Sequence, residues 1–262
     1  MNAVKGFGKA LVIITGASRG FGRALALEIA GRVDAGSVLI LAARSEDRLQ
    51  ELQTHLSRDA SQVTVRCVAA DLARKEDIER VLTEVKETQR ADIDHLLLFN
   101  NAGSLGDVSR YCRDFTDVDE VDSFLSFNVS SALCFTAGVL NTVPRRAGLT
   151  RVIVNISSLC AIKPFASWVL YCTGKAAREM MFRVLAEEEA DLRVLSYAPG
   201  PLDTDMQLQA RTISADSGIR SECNNLHVQG QLLTCEVSVN KLMKVLLEGN
   251  FTSGAHLDFY DV

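Results

Sequence analysis

The stretch that most restricts the fold of this chain is a short apolar run followed directly by a glycine-rich turn and an apolar helix. The run Leu11 to Ile14 indicates a buried strand, and apolar residues recur at helical spacing from Ala24 to Ala30. Between them the glycines at positions 16, 20 and 22 have the spacing G-x-x-x-G-x-G. Such glycines let the backbone approach a phosphate, whose charge the positive end of the helix receives. The sequence therefore predicts a strand, turn and helix that bind a dinucleotide.

The same alternation continues along the chain. Further short strand-like segments, near 38–42, 63–68, 95–99, 152–156, 192–197 and 255–259, are separated by stretches with helical periodicity, and the one at 63–68 alternates between apolar and polar residues. Strands that alternate with helices form an open parallel sheet covered on both faces. The chain of 262 residues is therefore expected to be a single α/β domain, 1–262, of Rossmann type: doubly wound, with a predominantly parallel seven-stranded sheet.

Composition excludes several classes of function. The net charge of -5 provides no basic field for nucleic acid, and no apolar run is expected to approach the ~20 residues of a membrane span. The seven cysteines are scattered without a C-x-x-C, and the four histidines do not join them at ligand spacing, so no metal site is expected. Reduced thiols and the lack of a signal-like run favour a cytoplasmic location.

Two arginines indicate the type of dinucleotide. In NAD-binding domains the residue after the second strand is usually an acid that holds the ribose 2′-hydroxyl. Here Ala43 and Arg44 occupy this place, and Arg19 lies in the glycine turn. Guanidinium groups at both turns suit the 2′-phosphate of NADP, which accepts charge-assisted hydrogen bonds. Either arginine alone would more simply be a surface residue.

A tyrosine and a lysine provide the candidate chemistry. Tyr171 and Lys175 are four residues apart in a helical stretch and share one face. A free phenol has a pKa near ~10, and a neighbouring ammonium would lower it, which would let the phenol transfer protons near neutral pH. An isolated pair at this spacing is more often a packed tyrosine and a solvated lysine.

Several motifs occur in one order: the glycine turn from Thr15 to Gly22, the run 100–103 (Asn-Asn-Ala-Gly), Asn128, Ser158, the Tyr171/Lys175 pair and the run 199–200 (Pro-Gly). Together they resemble the short-chain dehydrogenase/reductase family over nearly the whole chain. The resemblance implies hydride transfer from a nicotinamide cofactor to a carbonyl group.

The family's roles map onto matching positions. Tyr171 would protonate the carbonyl oxygen, and Lys175 would lower the pKa of Tyr171 and hold the nicotinamide ribose. Ser158 would hydrogen-bond the same oxygen, and Asn128 would hold a water in the proton path. The adjacent Ser157 is set aside by spacing, as a residue that completes the end of a strand.

The resemblance also implies which residues hold NADPH or NADP+. They are Thr15, Gly16, Ala17, Ser18, Arg19, Gly20, Phe21, Gly22, Ala43, Arg44, Ala70, Asp71, Leu72, Asn101, Ala102, Gly103, Tyr171, Lys175, Pro199, Leu202, Asp203, Thr204, Asp205 and Met206.

The segments 17–23, 100–109, 157–161, 197–206 and 253–261 are more specifically similar to family members that reduce the side-chain ketones of pterins. This similarity implies a small-molecule pterin substrate bound by Ser158, Leu159, Tyr171, Gly200 and Asp258. A carboxylate such as Asp258 can accept two hydrogen bonds from the guanidine-like edge of a pterin. From composition alone Asp258 would be a solvated acid.

Two other functions remain open at this stage. A broad reductase of steroid, prostanoid or xenobiotic ketones would differ mainly in the polar stretch of about 207–234, which we expect to be a mobile flap over the pocket. A non-catalytic NADPH-binding regulator would lack part of the catalytic set, whereas all four members are present. The family resemblance also implies a homodimer that pairs through the helices of Asn128 and Tyr171.

Overall fold

Seven strands form one parallel sheet. The computed structural model describes residues 6–60, 62–88 and 91–262. The strands are β1 (Ala10–Thr15), β2 (Val38–Ala43), β3 (Thr64–Ala69), β4 (His95–Asn100), β5 (Thr150–Ile156), β6 (Leu192–Ala198) and β7 (Ala255–Asp258). Every neighbouring pair is parallel, in the order β3-β2-β1-β4-β5-β6-β7. The predicted fold class is therefore confirmed. The predicted single domain over 1–262 includes residues outside this description and stays a prediction.

Helices cover both faces of the sheet. They are α1 (Gly20–Ala30), α2 (Glu46–Asp59), α3 (Lys75–Thr88), α4 (Val118–Leu125), α5 (Ser131–Thr142), α6 (Val169–Glu188), α7 (Asp205–Ile213), α8 (Ser217–Val228) and α9 (Cys235–Glu248). Apolar residues of α1, α2 and α9 pack on one face of the sheet, and those of α3, α5 and α6 pack on the other. All residues of β1 and β2 are buried, as expected of central parallel strands.

The topology fixes where a ligand can bind. The chain reaches β3 at one edge and then returns past β1 to form β4, so the strand order reverses between β1 and β4. In open parallel sheets ligands bind at the carboxyl ends of the strands beside such a reversal. The turn after β1 and the turn after β4 are therefore adjacent at the edge where a dinucleotide is expected.

Among the residues that the structure describes, one helical stretch, Val118–Thr142, is long and apolar enough to cross a membrane by length and composition alone. The expectation that no segment approaches the length of a membrane span is therefore wrong for this stretch. Core helices of globular proteins pass the same test. Here Phe135 and Val139 are fully buried against the sheet, and Asn128 lies inside the protein. We therefore assign this stretch to the core.

The predicted flap of about 207–234 differs from expectation. Most of it is helical, because α7 and α8 occupy Asp205–Ile213 and Ser217–Val228. Their buried residues are few, with Ala210 in α7 and none in α8, so they leave little apolar periodicity in the sequence. Thr204 and Asp216 instead define their starts, since each side chain caps its helix by accepting a backbone N–H.

Candidate active site

The glycine turn between β1 and α1 is built by close backbone contacts. Gly16 has a φ of +68°, and a Cβ added at Gly22 would lie 2.3 Å from the carbonyl oxygen of Gly16. The side-chain amide of Asn101 donates to the carbonyl oxygens of Thr15 at 2.9 Å and Gly16 at 3.1 Å. Thr15 Oγ1 in turn accepts the backbone N–H groups of Asn101 and Ala102, each at 3.0 Å. The end of β4 therefore fixes the shape of the glycine turn.

The turn leaves the start of α1 suited to an anion. Arg19 is the residue before the first helical turn; its guanidinium, which can only donate hydrogen bonds, does not cap the helix and pairs with Asp205. The first turn contains no acidic residue. Backbone N–H groups at such a helix start bind phosphate groups, and Gly20, with a φ of +53°, has room around its Cα. The residues present therefore fit the pyrophosphate of a dinucleotide.

The carboxyl ends of β2 and β3 lie beside the glycine turn. Gly16 N–H donates to the carbonyl oxygen of Ala42 at 2.7 Å, and Ala70 N–H donates to that of Ala43 at 2.9 Å. Arg44, directly after β2, is exposed and lies with its guanidinium 5.7 Å from the centre of the Phe127 ring. The structure therefore brings the predicted cofactor residues of β1, β2 and β3 to one edge.

Tyr171 and Lys175 lie on the buried face of α6. Lys175 Nζ donates a hydrogen bond of 2.6 Å to the carbonyl oxygen of Ile156, at the end of β5. Burial, and secondarily the positive charge of Arg178, lower the pKa of Lys175 to about 7. The ammonium lies 5.5 Å from the centre of the Tyr171 ring. The two side chains thus share one face, as their spacing predicts.

The predicted lowering of the Tyr171 pKa is wrong for this structure. Burial raises the pKa of Tyr171 well above its usual value, and the nearby Cys160 thiol adds to the rise. A hydrogen bond with Ser158 opposes the rise without cancelling it. The sequence argument considered the neighbouring charge and not desolvation, which is the larger effect here.

Ser158 begins a short 3-10 turn, Leu159–Ala161, directly after β5. Its hydroxyl oxygen accepts the backbone N–H of Cys160 at 3.2 Å, which holds the turn. The adjacent Ser157 points to a different partner, because its hydroxyl donates to Glu179 Oε2 at 2.7 Å. Of the two serines, Ser158 is the one that hydrogen-bonds Tyr171, and its catalytic role stays a prediction.

Asn128 lies in a π-helical turn, Ser126–Ser130, that joins α4 to α5. Its side-chain oxygen accepts the backbone N–H of Ser104 at 2.8 Å, and its amide donates to Ser104 Oγ at 3.1 Å and to the carbonyl oxygen of Phe124 at 3.0 Å. These bonds attach the loop after β4 to the long helix. Its role as a water holder stays a prediction.

The last strand ends beside the loop after β6. Asp258 pairs with Ala198 in the sheet, and its side chain accepts the backbone N–H of Tyr260 at 3.1 Å. Gly200, with a φ of +76°, approaches closely enough that an added Cβ would lie 2.8 Å from Leu233 and 3.4 Å from Phe259. The predicted substrate residues Gly200 and Asp258 therefore flank the same corner of the sheet.

The α7–α8 segment packs beside Tyr171. Ala210 belongs to the same apolar cluster as Tyr171 and Trp168. Trp168 Nε1 donates to Ser214 Oγ at 3.0 Å, and Gln209 Nε2 donates to the carbonyl oxygen of Gly106 at 2.9 Å. The segment predicted as a flap therefore lies beside the tyrosine and the loop after β4, and it consists mainly of two helices.

Three ionisable residues near this edge were not among those predicted from the sequence: Arg178, Glu179 and His256. Arg178 and Glu179 follow Tyr171 by seven and eight residues, so all lie on one face of α6. Charged residues on the face that carries the catalytic candidates were the available signal. His256 left no comparable pattern in the sequence.

Comparison with known proteins identifies the family. The family model for short chain dehydrogenases matches residues 10–214. Sepiapterin reductase of Xenopus laevis is 50% identical over 254 residues, which are 97% of each chain, and that of Rattus norvegicus is 48% identical over 97% of this chain and 98% of its own. The crystal structure of L-sorbose reductase from Gluconobacter frateurii, complexed with NADPH and L-sorbose, is 25% identical with a TM-score of 0.78, and covers 97% of this chain and 95% of its own.

The chain belongs to the short-chain dehydrogenase family. It is an oxidoreductase that uses a nicotinamide cofactor.

The glycine turn gives a first prediction. Gly22→Ala should weaken dinucleotide binding by roughly tenfold or more, because the new methyl group forces the Gly16 carbonyl and Asn101 away from their positions. Gly31→Ala, at the other end of α1, is the control: its φ is -83° and its nearest contact would be 3.8 Å. Titration of NADPH fluorescence measures both affinities, and equal affinities would contradict the close-contact explanation.

Proposed function

We propose that the protein is an NADPH-dependent reductase of pterin side-chain ketones, those of sepiapterin and 6-pyruvoyl-tetrahydropterin, in tetrahydrobiopterin biosynthesis. The proposal rests on the arrangement at one edge of the sheet. Tyr171 and Ser158 lie at this edge, and Asp258 lies there too, at the end of the last strand beside Gly200. The relatives named sepiapterin reductase, aligned over nearly the full chain, support it.

In this proposal Tyr171 gives the proton. Its raised pKa keeps the phenol protonated across neutral pH, which is the form that a proton donor to a carbonyl oxygen needs. Ser158, which hydrogen-bonds Tyr171, is placed to donate to the same oxygen as charge develops on it. The nicotinamide cofactor, when bound, supplies the hydride. The cluster that contains Tyr171 and Trp168 keeps water from the reacting groups.

Lys175 and Asn128 complete the proton supply. Lys175, whose pKa is about 7, can change protonation state near neutral pH while Ile156 holds its Nζ in place. We assign Lys175 to the nicotinamide ribose hydroxyls and to the return of a proton to Tyr171. Asn128 is assigned to a water beside Lys175, and its bonds to Ser104 fix the loop that borders the cofactor.

NADPH is the proposed cofactor because of two exposed arginines. Arg44 follows β2 and Arg19 precedes α1, at adjacent strand ends. Both guanidinium groups are open to solvent and suit a doubly charged 2′-phosphate. Arg19 would exchange its exposed pairing with Asp205 for the phosphate, at small cost. Turnover with NADPH well above that with NADH supports this assignment, and activity with NADH alone would overturn it.

Asp258 is the proposed anchor for the pterin ring. Its carboxylate lies at the carboxyl end of β7, where a forked pair of hydrogen bonds could receive the ring N–H and the exocyclic amine. Gly200 and Leu159 are assigned to the walls of the same pocket. With the ring held there, the side-chain ketone is the part of the substrate that reaches Tyr171.

The chemical step has a direct test. Tyr171→Phe should keep the affinity for NADPH and lose turnover of sepiapterin by roughly 10²- to 10⁴-fold, the usual contribution of a positioned general acid. Tyr111→Phe, at a surface tyrosine, is the matched control. Steady-state NADPH oxidation measures turnover, and a Tyr171→Phe variant that still turns over would sink the assignment.

The anchor is tested by substrate choice. Asp258→Ala should lower kcat/KM for sepiapterin by roughly 10- to 150-fold, the equivalent of about 1.5–3 kcal/mol for a hydrogen bond to a charged group. Reduction of butane-2,3-dione, which lacks the ring, should change little. Asp258→Asn, with one acceptor left, should fall between. Equal losses on both substrates would mean that Asp258 does not bind the ring, and would favour the broad carbonyl reductase.

We further infer a homodimer that pairs through α5 and α6. These helices lie on one face of the sheet and expose apolar side chains, with Leu133 53%, Met180 57% and Val184 45% exposed. Exposed apolar groups of this kind mark interaction surfaces when they cluster. Sedimentation should show a dimer that Met180→Glu weakens; a monomeric parent protein would refute the inference.

We also infer a cytoplasmic location. All seven cysteines are unpaired, as expected of thiols in a reducing compartment. Fractionation of cells that express the tagged protein measures the location directly.

A further inference from the structure

A connected set of buried polar side chains lies under the proposed active site and has no role in the chemistry described so far. It starts from Arg178 and Glu179 on α6, which are 2% and 6% exposed. Buried charges are costly unless they are paired and hydrogen-bonded. Their partners show what these two residues hold together.

Arg178 holds the strands on the cofactor side. Its Nε donates to Asn155 Oδ1 at 2.9 Å, and its two terminal nitrogens donate to the carbonyl oxygens of Ala102, at 2.9 Å, and Asn100. Asn155 Nδ2 then donates to Ser196 Oγ at 3.1 Å. Burial lowers the pKa of Arg178 to about 10, so the guanidinium stays charged at neutral pH. These hydrogen bonds join α6 to the ends of β4, β5 and β6.

Glu179 holds the strands on the substrate side. Its Oε2 accepts the hydroxyl of Ser157 at 2.7 Å and contacts His256 Nδ1 at 3.0 Å. Ser157 precedes the catalytic candidate Ser158, and His256 lies two residues before Asp258 on β7. One carboxylate therefore connects the helix of Tyr171 to the strand before Ser158 and to the strand of the proposed ring anchor.

The electrostatics favour an ionic contact between these side chains. Burial opposes ionisation of Glu179, but hydrogen bonds from His256 and Ser157 outweigh it and lower its pKa. The hydrogen bond to Glu179 raises the pKa of His256, and burial only partly opposes this rise. Both shifts stabilise a carboxylate beside an imidazolium.

A side-chain contact such as that between His256 and Glu179 matters for β7, the strand that contains His256. β7 has four residues, stands at the edge of the sheet and pairs only with β6. A short edge strand with one neighbour is held by few main-chain hydrogen bonds. The His256–Glu179 contact is a side-chain link from β7 to the helix that carries Tyr171.

We propose that Glu179 and His256 are positioning residues for substrate specificity: their contact holds Asp258 at a fixed separation from Tyr171, matched to a substrate with a ring at one end and a ketone at the other. The proposal rests on the proposed function, in which Asp258 binds the pterin ring. A substrate without the ring does not use this separation, so it should be insensitive to the contact.

The first test removes the histidine. His256→Ala should lower kcat/KM for sepiapterin about tenfold or more, mainly through KM, and change that for butane-2,3-dione less than twofold. His256→Gln, whose amide can still donate to Glu179, should restore most of the loss. His227→Ala, at an exposed histidine of α8, is the matched control and should behave as the parent protein. Equal losses on both substrates would show a merely structural role and overturn the proposal.

The second test measures coupling to the anchor. If His256 acts through Asp258, the double variant His256→Ala/Asp258→Ala should be no worse with sepiapterin than Asp258→Ala alone. Losses that multiply would overturn the proposal. Glu179→Gln keeps an acceptor for Ser157 but removes the charge, and should reproduce the selective loss if His256→Ala fails to fold. A normal result for Glu179→Gln would also overturn it.

The same variants distinguish a failure of the positioning role from a failure of the proposed ring anchor. If Asp258→Ala lowers sepiapterin reduction selectively while His256→Ala and Glu179→Gln do not, the positioning role is wrong and the ring anchor stands. If Asp258→Ala affects both substrates equally, the ring anchor itself is wrong.

Discussion

Four ionisable side chains are buried on one face of helix α6, and each of them needs a hydrogen-bonding partner from the rest of the protein. Tyr171, Lys175, Arg178 and Glu179 are all buried on α6, and an unpaired buried polar or charged group costs several kcal/mol. The strand ends provide backbone carbonyls for Lys175 and Arg178, and a hydroxyl and an imidazole for one carboxylate oxygen of Glu179, whose other oxygen has no hydrogen-bond partner among the described residues. The position of α6 over the sheet is therefore determined by polar contacts as well as by apolar packing, and the active site inherits its geometry from them.

Much of the fold could be predicted because the information is local. Central strands such as β1 and β2 are buried on both faces and are continuous apolar runs, whereas β3 alternates, and all seven strands appear in the sequence near the places where the structure has them. The glycine turn and the tyrosine–lysine pair are local as well. By contrast, α7 and α8 bury too few residues to produce a helical pattern, so a loop was expected there.

The contacts that organise the site are not local. Arg178 contacts the carbonyl of Asn100 across 78 residues, and Glu179 contacts His256 across 77. No spacing in the sequence shows which distant strand end faces a helix residue. The Tyr171 pKa illustrates the same limit, because a neighbouring charge is visible in the sequence but the degree of burial emerges only when the chain is folded.

The π-helical turn at Ser126–Ser130 has a consequence for how the gene can vary. Such a turn accommodates one residue more than a regular helical turn, while the helix on either side keeps its direction and its facing side. Deletion of a single codon among these five would therefore let the stretch close into a regular α-helix with Phe135 still directed at the core. Deletion of a residue within the regular part of α4 or α5 would instead rotate one part of the helix relative to the other, because each residue advances an α-helix by about 100°. In-frame deletions should thus disturb the packing of the long helix less within these five codons than on either side of them.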